Sequence, residues 1–274
     1  MRRLPPILCY HKIERRLELG VTRLSPRRFA RQMERLARDG WHTAGLEQVA
    51  AAARGERPPG AREMAITFDD AYRGLREHAF PVLEALGFSA TCFVITDYAG
   101  RLNRWDVAYG GRRFAHLAWR DMRRWQDRGI SFASHTATHP RLTWLPEREV
   151  RSELERSRRD IAGALDVQTT ALSYPFGAAG AREQRLARES GYGCGFVLSG
   201  GFSRENGESA ALAISRLPVY MWSPPRPAVS ILRGPERVAA TIANRCAVGT
   251  TLWLERRRSR RSDGDAQTLV AGRV

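Results

Sequence analysis

The chain has 274 residues, 43% of them hydrophobic, which suffices for one large buried core and calls for no second domain. Its 45 basic residues, among which Lys12 is the only lysine, outweigh 29 acidic ones to give a net charge of +16 and a pI of about 11.0. That balance favours a polyanion or an anionic membrane surface, although Arg-rich solvated helix faces produce the same excess. No stretch reaches the roughly 20 apolar residues of a membrane span. The four cysteines, Cys9, Cys92, Cys194 and Cys246, are scattered, which excludes a Cys-x-x-Cys motif and a disulfide framework.

At the amino terminus Met1, Arg2 and Arg3 precede an apolar run that Pro5 and Pro6 break and that ends at His11 and Lys12, too short for an export signal. We therefore expect a cytoplasmic protein with peripheral contact at the inner membrane face. Residues 6–10 read as a first strand leading to His11. Ser25 and Pro26 mark the start of a helix whose Phe29, Met33 and Leu36 share one face, and a short strand over 41–44 and a helix over 46–53 follow.

Met64, Ala65, Ile66, Thr67 and Phe68 form an apolar, β-branched run that stops on two adjacent carboxylates, Asp69 and Asp70. Burying ionised Asp without a partner is costly, so the pair implies a cation, a hydrogen-bond cage or simple exposure. A helix is predicted over 73–86 with Gly87 at its C-cap, then a strand over 89–96. The 97–117 segment has no clean period and reads as an ordered insertion over a site, with Asn103, Trp105 and Asp106 as sugar contacts, Trp105 serving equally well as a packing residue.

After a helix over 119–128, Ile130, Ser131, Phe132 and Ala133 lead into Ser134, His135, Thr136, Ala137, Thr138 and His139. The two histidines are four apart, and on a helical turn both imidazoles converge on one point. Two His and one carboxylate are a ligand set for zinc or another divalent first-row metal, and three protein ligands leave a position open. A long helix over 145–165 buries Val150, Leu154 and Ile161 and presents Glu149, Glu153, Arg156 and Asp160 as a solvated face. A strand over 169–173 meets Tyr174, Pro175, Phe176 and Gly177, a helix over 181–190 follows, and strands over 193–198 and 211–217 flank a polar loop. Residues 235–254 read as a mixed apolar helix running into Arg256, Arg257, Arg258, Arg260 and Arg261, which carry the expected contact with anionic lipid. Nucleic acid is set aside because the charge is spread out and accompanies no recognition motif.

Strand and helix alternate about seven times, and polar residues recur at the carboxyl ends of strands. This predicts a single α/β domain, a distorted or open (β/α)7 TIM-like barrel over residues 1–255, with a disordered Arg-rich tail over 256–274.

Taken together, Thr67-Phe68-Asp69-Asp70, Ser134-His135-Thr136-Ala137-Thr138-His139 and Tyr174-Pro175-Phe176-Gly177 resemble, in order and spacing, the NodB-homology polysaccharide deacetylases, carbohydrate esterase family 4. Tyr10-His11-Lys12-Ile13 is similar to the branch with poly-N-acetylglucosamine deacetylases. The resemblance spans about residues 5–220. It implies a metal-dependent hydrolase that removes an N-acetyl group from an amino sugar of a glycan, glycolipid or glycoside precursor. It further implies that Asp70, His135 and His139 hold a divalent metal, zinc first, with Co2+, Ni2+ or Fe2+ as other choices. Asp69 is then the general base, the backbone N–H of Phe176 the oxyanion donor and His11 the acid for the leaving amine, while Tyr174, Pro175 and Trp105 face the substrate.

Several positions depart from the family pattern. Ala71 stands where Gly is usual, Ser173 where an Arg usually orients the base, the Leu-x-His motif is missing, and no Asp-Trp counterpart stands near Trp222. Ala71 and Ser173 motivate one alternative, a catalytically weakened metal- or carbohydrate-binding relative of the same fold.

Overall fold

The computed structural model describes residues 4–16, 22–103, 113–198 and 211–220. In chain order its elements are β1 (Ile7–Tyr10), β2 (Lys12–Ile13), β3 (Arg23–Leu24), α1 (Pro26–Arg38), β4 (His42–Thr43), α2 (Leu46–Arg54), β5 (Glu63–Phe68), α3 (Gly74–His78), α4 (Phe80–Ala85) and β6 (Ala90–Val94). They continue with α5 (Trp119–Gln126), β7 (Ile130–Ser134), α6 (Glu147–Leu165), β8 (Ala171–Ser173), α7 (Ala181–Glu189), β9 (Cys194–Val197), β10 (Ile214–Ser215) and β11 (Leu217–Pro218). The expected 235–254 helix, the Arg-rich tail and Trp105 and Asp106 lie outside the described residues.

The main sheet runs β10-β9-β8-β7-β6-β5-β1-β11, with every pairing parallel. Its two ends are neighbours in the chain. β10 pairs with β9, β11 pairs with β1, and Arg216 between them donates its N–H to the Val197 carbonyl, so the 214–218 segment closes the sheet into a seven-position barrel. The sequence reading of a single strand over 211–217 is thus refined: the strand is split at Arg216 because its two halves serve opposite edges.

Strand parity decides what fills the barrel. Ile7, Ala65, Phe93, Ala133, Ala171, Cys194, Phe196 and Ile214 come from seven separate strand positions yet form one packed cluster, which places them in the interior. The alternate residues Leu8, Ile66, Phe68, Cys92, Val94, Ile130 and Phe132 pack with helix residues Phe29, Met33, Leu83 and Ile161 on the outside. Both faces are covered, so β1 and β5 read as continuous apolar runs.

Two helix expectations are corrected. The helix predicted over 73–86 is broken into α3 and α4 at Ala79, because Pro81 lacks an N–H and its ring clashes with the carbonyl of the preceding turn. Glu153, Arg156 and Asp160 of α6 are not a solvated face, since Glu153 receives the loop after β7, Arg156 pairs with Asp97 and Asp160 accepts from Thr96.

Tyr174 is fully buried among Leu142, Leu154, Leu172, Leu186 and Tyr192. Its ring presses on β9: a Cβ added at Gly195 lies 2.6 Å from Tyr174 Cε2 and 2.7 Å from the Leu212 carbonyl oxygen. Gly195→Ala is expected to cost about 1–3 kcal/mol through overpacking. Urea denaturation measures it, and an unchanged midpoint contradicts this packing.

Candidate active site

Asp69, His135, Ser173 and Arg216 continue the interior register of β5, β7, β8 and the 214–218 segment, so they meet just beyond the apolar filling at the carboxyl ends of the strands. Strand ends of this kind are where parallel barrels build their sites.

Asp69 is buried and gripped by Arg216, which is itself 0% exposed. The guanidinium donates from both terminal nitrogens, Nη1 to Oδ1 and Nη2 to Oδ2, each at 2.7 Å. Nη2 also donates to Ser173 Oγ at 2.7 Å, and that hydroxyl donates to Asp69 Oδ2 at 3.2 Å. The rings of Phe93 and Phe196 lie 5.3 and 5.7 Å from the guanidinium. Burial pushes the Asp69 carboxyl up, but the Arg216 charge and hydrogen bonds, with His135, outweigh it and hold the group well below the usual carboxylate range. Ser173 in place of the family's usual arginine therefore does not leave Asp69 unsupported, because Arg216 reaches it from another strand. Sequence reasoning missed Arg216, and the available signal was one charged residue at an inward position of an apolar strand.

Asp70 turns away from Asp69. It has φ +69° and Ala71 has φ +54°, two successive left-handed non-glycine residues. The position where Gly is usual does adopt the conformation that favours Gly, and Ala71 occupies it at a cost of about 1–2 kcal/mol. This turn directs the Asp70 carboxylate to the histidines: Oδ1 lies 3.4 Å from His135 Nε2 and 3.7 Å from His139 Nε2.

The histidines do not lie on a helical turn, which corrects the sequence reading of their four-residue spacing. His135 follows directly on β7, and the 135–140 loop bends through left-handed Thr136 (φ +64°) and His139 (φ +66°). Thr136 Oγ1 accepts the His139 N–H at 3.0 Å, while Glu153 Oε2 accepts the N–H groups of Ala137 and Thr138 at 3.0 and 2.8 Å. Glu153 is thus a loop anchor, and the signal for it was the polar stripe Glu153, Arg156, Ser157 and Asp160 on one side of a helix.

These residues fit a divalent cation. His135 Nδ1 donates to the Ser173 carbonyl at 2.8 Å, which leaves Nε2 with its lone pair toward Asp70 in the neutral ring. Asp70 Oδ1 is buried and accepts no hydrogen bond among the described residues. Burial pushes Asp70 up, but His135, His11 and His139 bring it down to about 2, so it is ionised. Burial and the neighbouring His135 push His139 down to about 3, so it is neutral. Burial also lowers His135, yet Asp69 and Asp70 outweigh it and raise the group. The donor atoms of Asp70, His135 and His139 all lie within 4.8 Å of one another.

Cys9, His11 and Asp69 form a second close group by the same criterion. It does not suit a metal, since the guanidinium already holds both Asp69 oxygens and would repel a second cation. His11 is half-buried beside Asp69, its Nδ1 has no partner among the described residues, and burial lowers its pKa despite the two aspartates. Phe176 is left-handed (φ +60°), and its ring packs against His139 with centroids 4.9 Å apart.

The expected substrate contacts are corrected or unplaced. Tyr174 and Pro175 are buried in the wall of the site, so neither offers a face to a sugar. Asn103 is also buried, and its side-chain oxygen accepts the Phe114 N–H at 2.8 Å, a use internal to the insertion. Trp105 lies outside the described residues.

A seven-position parallel barrel with an anchored carboxylate beside an Asp-His-His cluster at its strand ends defines a barrel hydrolase. The chain belongs to the polysaccharide deacetylase family, whose model matches residues 56–195. It is 30% identical over 203 residues to YxkH of Bacillus subtilis (strain 168), a candidate polysaccharide deacetylase, covering 74% of this chain and 67% of that one. In fold it is similar to the Streptococcus pyogenes deacetylase PplD solved with acetate, with a TM-score of 0.74 and 22% identity, covering 85% of this chain and 100% of that one. It is also similar to IcaB from Ammonifex degensii, with a TM-score of 0.68 and 21% identity, covering 83% and 97%.

Arg216→Gln leaves a buried carboxylate without its counter-charge and is expected to destabilise the metal-free chain by about 3–5 kcal/mol. Guanidinium denaturation at neutral pH measures this, and a loss below 1 kcal/mol refutes the pairing. Ala71→Gly relieves the left-handed strain and is expected to raise the melting temperature. A fall in melting temperature contradicts the strained turn.

Proposed function

We propose that the protein is a metal-dependent hydrolase that removes an N-acetyl group from an amino sugar of a glycan, glycolipid or glycoside precursor. The observation that carries this reading is the buried, hydrogen-bond-free Asp70 Oδ1 facing His135 and His139, next to an Asp69 held ionised by Arg216. Two imidazoles and a carboxylate suit zinc, and also Co2+, Ni2+ or Fe2+.

Asp70, His135 and His139 would hold a divalent cation, which when bound would supply Lewis-acid polarisation of the acetamide carbonyl and a more acidic water. Asp69 then takes the proton from the attacking water. Arg216 trades basicity for orientation, since the fork depresses the carboxylate yet keeps it charged and aimed. The Phe176 N–H is the donor to the developing oxyanion in this reading, which the residue's left-handed turn beside His139 supports. His11, on the Asp69 side of the centre, protonates the leaving amine. The departures that motivate a weakened relative are both accommodated, Ala71 by adopting the left-handed turn and Ser173 by sharing Asp69 with Arg216.

Asp69→Asn is expected to lower acetate release from N-acetylglucosamine oligomers or glycolipids about 10²–10⁴-fold while leaving Co2+ binding intact. Chelation is expected to silence the wild type, and added Zn2+ or Co2+ to restore it. Undiminished acetate release after either treatment would sink the proposal.

A further inference from the structure

We propose that His116, a residue outside every motif of the family resemblance, is a positioning residue that holds Asp70 in its ligating orientation. The inference rests on the reading of Asp70 as a metal ligand and extends it to the shell behind that ligand.

The Asp70 carbonyl does not join the sheet ladder. It accepts a hydrogen bond from His116 Nδ1 at 2.5 Å, and because a carbonyl can only accept, the ring must carry its proton on Nδ1. The flanking backbone supports the same turn: Leu117 N–H donates to the Ala71 carbonyl at 2.8 Å, Arg73 N–H donates to the Ala115 carbonyl at 2.8 Å, and Tyr72 bridges to His116. The two left-handed residues that aim the Asp70 carboxylate are therefore clamped by the 115–117 strip.

His116 is not free to turn. Its ring stacks on Tyr72 with centroids 4.8 Å apart and leans on Tyr98 at 5.5 Å, its own N–H donates to the Arg101 carbonyl, and it is 2% exposed. Its Nε2 is buried with no partner among the described residues. An apolar ring would fill the slot between the tyrosines without burying an unpartnered Nε2, so a histidine there needs a reason. The donor to Asp70 supplies it, through the same logic by which groups behind a metal ligand fix its geometry.

Three full-length proteins test this by titration of the chelated chain with Co2+. His116→Phe keeps the aromatic face but loses the donor; His116→Asn keeps an amide N–H near the Nδ1 position but loses the ring. The Phe variant is expected to bind Co2+ about 10- to 100-fold more weakly than wild type and to show an altered visible spectrum. The Asn variant is expected to retain most of the affinity. Wild-type affinity and spectrum in the Phe variant overturn the proposal, and so does an Asn variant as weak as Phe. A readout free of any variant is the proton–nitrogen correlation spectrum of the wild-type imidazoles, with and without metal. The Nδ1–H tautomer is expected for His116, and an Nε2–H tautomer overturns the clamp even if neither variant folds. Wild type that binds no Co2+ instead refutes the metal reading itself.

Discussion

The buried fork between Arg216 and Asp69 is the interaction on which both the barrel and its chemistry depend. A carboxylate at the end of an inward-facing register faces a large desolvation penalty, and a guanidinium donating to both oxygens offsets it with good geometry. Arg216 also sits at the point where one edge of the sheet is handed to the other, its N–H donated to Val197 while the next strand pairs with β1. Closing the sheet therefore brings the counter-charge to Asp69, and the site cannot assemble in a chain whose barrel stays open.

Around that fork, backbone strain is concentrated where side chains must converge. Asp70, Ala71, Thr136, His139 and Phe176 are all left-handed, and all lie in loops that leave the carboxyl ends of strands. Such conformations persist only where the surroundings over-determine them. Here the supports are identifiable: the His116 ring behind Asp70, the Leu117 N–H on Ala71, and Glu153 beneath the loop that carries both histidines. The strain turns Asp70 and His139 off their strand directions and toward His135, which continues the register of β7.

The barrel was legible because its signals are local. Apolar runs over 64–68 and 130–133, each ending in polar residues, mark buried parallel strands whatever else the chain does, and their number gave the architecture. The cluster of Asp70, His135 and His139 was legible through residue type and order, although the wrong geometry was assigned to the spacing of the histidines. A helical turn and a left-handed loop can both bring residues four apart together, and nothing in His-x-x-x-His separates them. Arg216, Glu153 and His116 were hidden for another reason: each acts across a separation of at least 15 residues on a partner that only the closed fold brings near. Tyr174 shows the converse. It stands inside a motif yet is spent on packing, because a site wall needs filling behind it as well as contacts in front.

The charges of the centre close the argument. Arg216 neutralises Asp69, which leaves Asp70 as a buried anion whose Oδ1 accepts no hydrogen bond among the described residues. A low-dielectric interior does not tolerate that, and the two aspartates accordingly push the pKa of His135 up. A proton on His135 Nε2 would balance the charge but consume the lone pair that faces Asp70. A divalent cation held there would balance it with one positive charge to spare. The same carboxylate that is costly to bury alone is thereby the reason a cation is favoured there.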